Sequence, residues 1–198
     1  VPASFDAGRD AGRRCVSVDG DADRLVYFEP RGEGAPVRLL DGDRLASLLA
    51  LYARETLAAA GVEARLGVVH TAYANGGSTA FLRANGVETV CTPTGVKYLH
   101  PAAEEFECGV YFEANGHGTV LFQEGLLERL RAAAESGPEG GREAAARALH
   151  LSGVINPAVG DALSGVLAVE AVLAARGWSM EVWEAQYAEL PPRQLKGG

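Results

Sequence analysis

Three aspartates stand at every second position between two apolar runs, in the stretch CVSVDGDADRLVYF at residues 15–28. Two carboxylates 4 Å apart repel by roughly 4 kcal/mol at an effective dielectric near 20, so we expect a positive partner for Asp19, Asp21 and Asp23. Converging carboxylate oxygens suit Mg²⁺, Mn²⁺ or Ca²⁺, whereas zinc prefers nitrogen and sulfur ligands. The spacing therefore predicts a site for a hard divalent cation.

The residues around the aspartates favour a loop between two strands. An EF-hand needs Gly at its sixth position and Glu at its twelfth, where this chain has Arg24 and Pro30, so that interpretation fails. The flanking residues are β-branched, aromatic or otherwise apolar, as in strands. A solvated acidic turn is the alternative, although turns usually need only one or two Asp. Arg24 can either pair with an aspartate or bind a phosphate, and the sequence does not choose.

A second polar segment, EANGHGT, joins two apolar runs. Glu113 and Asn115 lie two residues apart and can point the same way, which suits the hydroxyl groups of a sugar. His117 continues the spacing, and an imidazole with a near-neutral pKa is a natural proton carrier. The alternative is a polar hairpin turn in which Asn and Gly serve only the backbone geometry.

The third segment is TPTGVK, at residues 92–97. Its two hydroxyls, one glycine amide and Lys97 could bind hydroxyl or phosphate groups near the start of a helix. It lacks the spacing of a Walker loop, and alone it is a weak signal. All three segments follow or join predicted strands, and loops at strand ends are where α/β proteins usually bind ligands.

Alternation of strands and helices along the chain predicts an α/β fold with a layered mixed β-sheet and flanking helices. Asp41 or Asp43 is expected to cap a helix that runs to about Ala60. The other predicted helices are 77–85, a stretch after Gly95, the region from Glu124, 157–175 and 178–187. Strands are predicted at 15–18, 25–28, 65–70 and 87–91 and on both sides of EANGHG. ESGPEGGRE is predicted to be a surface excursion, and LPPRQLKGG an exit linker.

The composition is that of a globular protein: 198 residues, 47% hydrophobic, with a net charge of −8. This acidity argues against nucleic-acid and membrane partners, and we expect a cytoplasmic protein. The three cysteines have no CxxC spacing and are expected to be reduced, buried thiols. Because the only methionine is Met180 and the chain opens on VPASFDAGRDAG, we expect a piece of a longer protein.

Together these segments resemble the α-D-phosphohexomutase superfamily, whose metal-binding loop is similar to DGDADR. The phosphoacetylglucosamine mutase branch is the better match. The segments that resemble it, in order, are TAYANGGST, TPTGVKYLHPAAEEF, GVYFEANGHGT and LPPRQLK.

The resemblance implies an enzyme that interconverts N-acetylglucosamine 6-phosphate and 1-phosphate, through a phosphoserine and a bisphosphate intermediate, on the route to UDP-N-acetylglucosamine. It implies that the three aspartates hold Mg²⁺ and that Arg24 lies near the transferring phosphoryl group. It also implies that Glu113 and Asn115 bind the sugar hydroxyls, with Thr94 and Gly95 on a second loop and Lys97 beside them. His117 becomes a candidate general acid or base.

By the same resemblance, residues 1–40 would end domain 2, residues 41–190 would form the sugar-binding domain 3, and residues 191–198 would lead to domain 4. We find no serine loop of the kind that carries the phosphate, so the piece alone is expected to be inactive, with domains 1 and 4 as its missing partners. Two other interpretations stay open: a haloacid-dehalogenase-type phosphatase with Asp19 as nucleophile and Asp21 as acid/base, and a non-catalytic sugar-phosphate binding module.

Overall fold

The computed structural model describes residue 6 and residues 8–191, which form an α/β fold with two β-sheets. The strands are Cys15–Val18 (β1), Leu25–Glu29 (β2), Arg38–Leu40 (β3), Leu66–Thr71 (β4), Glu88–Thr92 (β5), Cys108–Phe112 (β6) and Gly118–Phe122 (β7). The helices are Gly42–Ala59 (α1), Gly76–Ala84 (α2), Val96–Glu104 (α3), Glu124–Ser136 (α4), Glu139–Val154 (α5), Ala162–Arg176 (α6) and Met180–Glu184 (α7). The predicted fold class, a layered mixed sheet with flanking helices, is confirmed.

The larger sheet has the strand order β5-β4-β6-β7. β4 runs parallel to β5 and β6, and β7 returns antiparallel to β6. Successive side chains of a strand point to opposite faces, so Val68 packs with α1 and α2 while Val69 packs with α3 on the other side. Helix α2, which follows β4, therefore covers one face of the sheet, and α3, which follows β5, covers the other. The carboxyl ends of β4, β5 and β6 meet at one edge, where such sheets usually bind ligands.

The smaller sheet is antiparallel, in the order β1-β2-β3. It is fixed to the rest of the fold by distant residues rather than by its neighbours in sequence. The Tyr27 ring lies edge-on to Trp183, with 5.2 Å between ring centroids, and its hydroxyl donates to the carbonyl of Val166 at 3.4 Å. Both rings are fully buried. This packing holds the start of β2, and with it the acidic loop before it, against α6 and α7.

Helix α1 begins where the sequence predicted. The side chain of Asp41 accepts hydrogen bonds from the backbone N–H groups of Asp43 and Arg44, at 3.1 and 3.3 Å, which makes it the N-cap. The second DGD is thus a helix cap, as predicted. The apolar face of α1 lies in the main core, and its first residue, Gly42, donates its N–H to the carbonyl of Ala114 at 3.2 Å.

Three expectations need correction, and one strand was missed. ESGPEGGRE is not a surface excursion, because α4 ends at Ser136 and α5 already begins at Glu139, with Gly141 buried. The apolar helix predicted from Pro157 begins five residues later, at Ala162. Of the three cysteines that were expected to be buried, only Cys108 is, since Cys15 is partly exposed and Cys91 is exposed. Strand β3 was not predicted. Of the predicted exit linker, residues 192–198 lie outside the described residues.

Helix α6 is apolar on nearly every side. Its inner residues pack against β2 and α1, while Leu163 and Leu167 are 64% and 63% exposed on the outer face. A helix that is apolar all round is usually covered on all sides. Across residue 6 and residues 8–191, none of the helices combines the length and apolar character that crossing a membrane requires.

Candidate functional site

The acidic loop between β1 and β2 brings the three aspartates together. Ala22 adopts a left-handed backbone conformation with φ of 58°, unusual for a residue other than glycine, and the loop turns there. One carboxylate oxygen of Asp19 accepts hydrogen bonds from the backbone N–H groups of Asp23 and Arg24, at 3.2 and 3.1 Å. Carboxylate oxygens of Asp19, Asp21 and Asp23 then lie within 4.8 Å of one another.

The charge of this loop is only partly balanced by the chain itself. Nε of Arg24 is 3.8 Å from Asp19 and 3.7 Å from Asp23, but the guanidinium is half exposed, so these pairs are weak. Desolvation raises the pKa of Asp19, yet the hydrogen bonds from Arg24 and Asp23 outweigh it and the pKa is lowered. Asp19 is therefore held as a carboxylate, the form that binds a cation.

One atom of the loop tests whether a metal ion fits. Oδ2 of Asp23 lies 3.1 Å from Nδ1 of His117. Its other oxygen, Oδ1, is shielded from solvent and accepts no hydrogen bond. Its contact with Arg24 Nε, at 3.7 Å, is too long for a hydrogen bond, and a shielded carboxylate oxygen without a hydrogen bond is costly unless a cation neutralises it. Three converging carboxylates with one such atom fit a hard divalent cation such as Mg²⁺.

The EANGHG segment is a hairpin turn that is joined to the acidic loop. Within the turn, Glu113 donates its N–H to the carbonyl of His117, and Oδ1 of Asn115 accepts the N–H of His117, both within 2.9 Å. Arg24 forms an isolated antiparallel bridge with His117, and Leu25 donates its N–H to the carbonyl of Gly116. The backbone role assigned to Asn in the alternative interpretation is thus real. Its amide nitrogen remains available for a ligand.

The TPTGVK segment lies at the same edge of the larger sheet as the hairpin, but at a distance from the hairpin and the acidic loop. It follows β5, which is separated from β6 by β4, so it sits about 10 Å from the hairpin along the sheet. Thr94 and Lys97 are exposed, and Gly95 precedes α3 with φ of 118°. Among the described residues, this segment makes no hydrogen bond to the acidic loop or to the hairpin. The structure therefore brings seven of the ten predicted residues into one cluster and leaves Thr94, Gly95 and Lys97 apart from it, on the loop after β5.

Sequence reasoning missed the turn before α6. Ala162 donates its N–H to the carbonyl of Ala22 at 2.9 Å, which joins the start of α6 to the acidic loop. A Cβ placed on Gly160 would lie 2.5 Å from the His117 ring. Gly42 was missed too, since its Cβ would lie 1.8 Å from the carbonyl oxygen of Glu113. No local pattern marks these residues.

Comparison with known proteins explains this combination of loops. Residues 41–178 match the family model described as phosphoacetylglucosamine mutase AMG1, domain III. The chain belongs to the phosphoacetylglucosamine mutase family. The Arabidopsis thaliana phosphoacetylglucosamine mutase is 50% identical over 99% of this chain, and the Homo sapiens one is 46% identical over 92%. This chain spans 37% and 34% of their respective lengths, so it covers about a third of such a protein.

Solved structures of this family share the fold. One is an Aspergillus fumigatus N-acetylphosphoglucosamine mutase in complex with GlcNAc-6P and magnesium. It is 45% identical, with a TM-score of 0.87, over 96% of this chain and 38% of that one. Another, described as an N-acetylglucosamine-phosphate mutase of the α-D-phosphohexomutase superfamily in its substrate complex, is 38% identical with a TM-score of 0.86. It covers 96% of this chain and 36% of that chain.

Proposed function

We propose that the whole protein interconverts N-acetylglucosamine 6-phosphate and N-acetylglucosamine 1-phosphate and that this chain supplies its metal loop and sugar-binding domain. The observation that carries the proposal is the contact between the acidic loop and the EANGHG hairpin, through Asp23 and His117. This contact places the candidate cation site of the three aspartates beside polar groups that suit sugar hydroxyls. The family membership and the magnesium and GlcNAc-6P complex of a relative support it.

Asp19, Asp21 and Asp23 would hold Mg²⁺, through oxygens that the loop already brings together. When bound, the ion would stabilise the negative charge of a transferring phosphoryl group. Arg24, half exposed beside the loop, can contact an oxygen of that phosphoryl group without losing a buried ion pair. The phosphoryl donor would be a phosphoserine outside this chain, and the sugar bisphosphate would be the intermediate.

We assign substrate binding to the hairpin and to the loop after β5. Glu113 can accept hydrogen bonds from sugar hydroxyls, and the amide nitrogen of Asn115 can donate one. On the loop after β5, Thr94, Gly95 and Lys97 would contact the sugar or its phosphate. A mutase must bind its sugar in two orientations, and polar groups on two separate loops at one edge of the sheet suit that requirement.

His117 is our candidate for the general acid or base. Its Nδ1 faces Asp23, which leaves Nε2 to exchange a proton with a sugar hydroxyl. We predict that His117→Ala lowers turnover more than it lowers affinity for the sugar phosphate. An effect confined to affinity would remove the acid/base role.

We further propose that residues 1–40 end domain 2, that residues 41–190 are domain 3 and that residues 191–198 lead to domain 4. The remaining domains of the same polypeptide would then be partners of this chain in catalysis. A place in UDP-N-acetylglucosamine synthesis and a cytoplasmic location stay predictions from the resemblance and the composition.

The test compares the natural-length protein with its Asp21→Asn variant, using N-acetylglucosamine 6-phosphate and glucose 6-phosphate with and without Mg²⁺. We expect Mg²⁺-dependent turnover that favours the acetylated sugar and is nearly abolished in the variant. Glu128→Gln, which changes an exposed carboxylate on α4, is the control and should keep full turnover. Release of inorganic phosphate in place of isomerisation would point to a phosphatase, and retained activity in Asp21→Asn would refute the metal assignment.

A further inference from the structure

The imidazole of His117 is confined from two sides. On one side its Nδ1 lies 3.1 Å from Oδ2 of Asp23. On the other side it lies against the backbone of Gly160, so close that a Cβ there would be 2.5 Å from Cε1 and 2.8 Å from Nδ1. The side chain is only 14% exposed. The ring therefore has little freedom to move away from Asp23.

The backbone conformation of Gly160 does not require a glycine. Its φ lies outside the left-handed region, in contrast to Gly116 in the hairpin with φ of 88°. What excludes a side chain at Gly160 is the space taken by the ring. The same turn is anchored to the acidic loop, because Ala162, two residues later, donates its N–H to the carbonyl of Ala22. Gly160 thus sits where the acidic loop, the hairpin and the start of α6 meet.

We propose that Gly160 is a positioning residue, which acts through His117 to orient Asp23 in the metal site. The close fit of the ring against Gly160 directs Nδ1 to Oδ2 and leaves Oδ1, the buried oxygen without a hydrogen bond, for the cation. Residues that orient a metal ligand commonly change metal affinity by 10- to 100-fold when altered. The inference rests on the proposed function for its metal site, but it concerns a residue that binds neither metal nor sugar.

The consequence is a coupling between the two halves of the site. Because one imidazole touches the metal loop and belongs to the sugar hairpin, a displacement of the ring disturbs both. Gly160→Ala adds a single methyl group directed at the ring and changes no charge, no metal ligand and no sugar contact. It is therefore a local probe of the ring position.

The experiment measures Mn²⁺ affinity of the natural-length protein by electron paramagnetic resonance of the free ion, with no substrate present. We expect Gly160→Ala to weaken Mn²⁺ binding about tenfold. Gly153→Ala is the matched control, since Gly153 lies in α5 with no atom within 4 Å of the added Cβ, and its Mn²⁺ affinity should equal that of the wild type. Thermal melts of both variants monitor folding.

A second pair of variants separates positioning from general disruption. In a His117→Ala background the ring is gone, so Gly160→Ala should cause no further loss of Mn²⁺ affinity. A full additional loss in that background would show that Gly160 acts by another route and would overturn the inference. So would wild-type affinity in Gly160→Ala alone. A wild-type protein that binds no Mn²⁺ would instead refute the metal site of the proposed function, and this inference with it.

Discussion

Asp43 offers a quantitative test of the electrostatics near the site. Its side chain is almost fully buried in the first turn of α1, and burial is the main reason that its pKa is raised to about 6. The carboxylates of Asp41 and Glu189 raise the pKa further, while the hydrogen bond that it accepts from the backbone N–H of Asn75, at 2.6 Å, opposes the shift. We predict that the wild type loses free energy of unfolding as the pH rises through about 6 and that Asp43→Asn removes this loss.

The magnitude follows from the difference between the folded and unfolded pKa values. A rise from 3.8 to about 6 is about two units, and each unit corresponds to 1.36 kcal/mol, so the linked free energy is about 3 kcal/mol. The folded state holds the proton more tightly than the unfolded state. The stabilisation from this proton is therefore complete below the unfolded pKa and is lost as the pH rises through about 6. Asn carries no such charge and can still accept the Asn75 bond.

Urea unfolding of the wild type and the variant, at several values from about pH 4 to about pH 7, measures this difference. Fluorescence of Trp183 is a suitable signal, because the ring is buried and its Nε1 donates to the carbonyl of Arg44 beside Asp43. The stability of the variant relative to wild type should rise by about 2.4 kcal/mol over this range, because the rest of the linked free energy falls below about pH 4 and above about pH 7. Glu63→Gln, at an exposed position, should show a constant difference. A constant difference for Asp43→Asn as well would refute the reasoning.

Two backbone predictions concern the loops of the site. Ala22→Gly relieves a left-handed conformation that costs a residue with a Cβ roughly 1 kcal/mol, so it should raise stability by up to about 1 kcal/mol while Ala22→Val lowers it. Thermal melts compare the three proteins, and equal stabilities would contradict the strain. Gly42→Ala directs a Cβ at the carbonyl of Glu113 and should cost about 1–3 kcal/mol and weaken sugar-phosphate binding. Calorimetry checks this, with Gly125→Ala as the control because a Cβ there has no atom within 4 Å. Unchanged sugar-phosphate binding in Gly42→Ala would show that the start of α1 does not affect the hairpin.

Local signals in the sequence predicted most elements correctly. The cap of α1 and the glycine that ends α6 are short-range features, and Gly177 indeed adopts φ of 63°. The errors arose where packing decides. Gly140 and Gly141 disfavour a helix on their own, yet α5 includes both, and Gly141 packs closely against Pro138. Helix α6 begins at Ala162 rather than at Pro157, because Asp161 caps it by accepting hydrogen bonds from the N–H groups of residues 163 and 164.

Residue types and spacing alone predicted the candidate site only as separate segments, and it was the family resemblance that implied one shared site. The types and spacing of the three aspartates indicated a cation, since carboxylate chemistry can be read from residue types alone. The contact between Asp23 and His117 joins residues distant in sequence. It depends on the backbone pairing of Arg24 and Leu25, at the start of β2, with the hairpin at Gly116 and His117. No local sequence pattern marks Gly160, because what matters there is the lack of a side chain next to the ring of His117, which is distant in sequence.

The attachment of the small sheet to the far end of the chain also has a consequence during synthesis. Tyr27 and the acidic loop emerge from the ribosome before Val166, which accepts the Tyr27 hydroxyl bond and follows 139 positions later. At 5–20 residues per second, the wait is roughly 7 to 28 s. During that time β1 and β2 can pair with each other and with β3, but Tyr27 lacks the Trp183 ring and the Val166 carbonyl. The contacts that hold the acidic loop and β2 against α6 and α7 can therefore form only when the growing chain has delivered both helices.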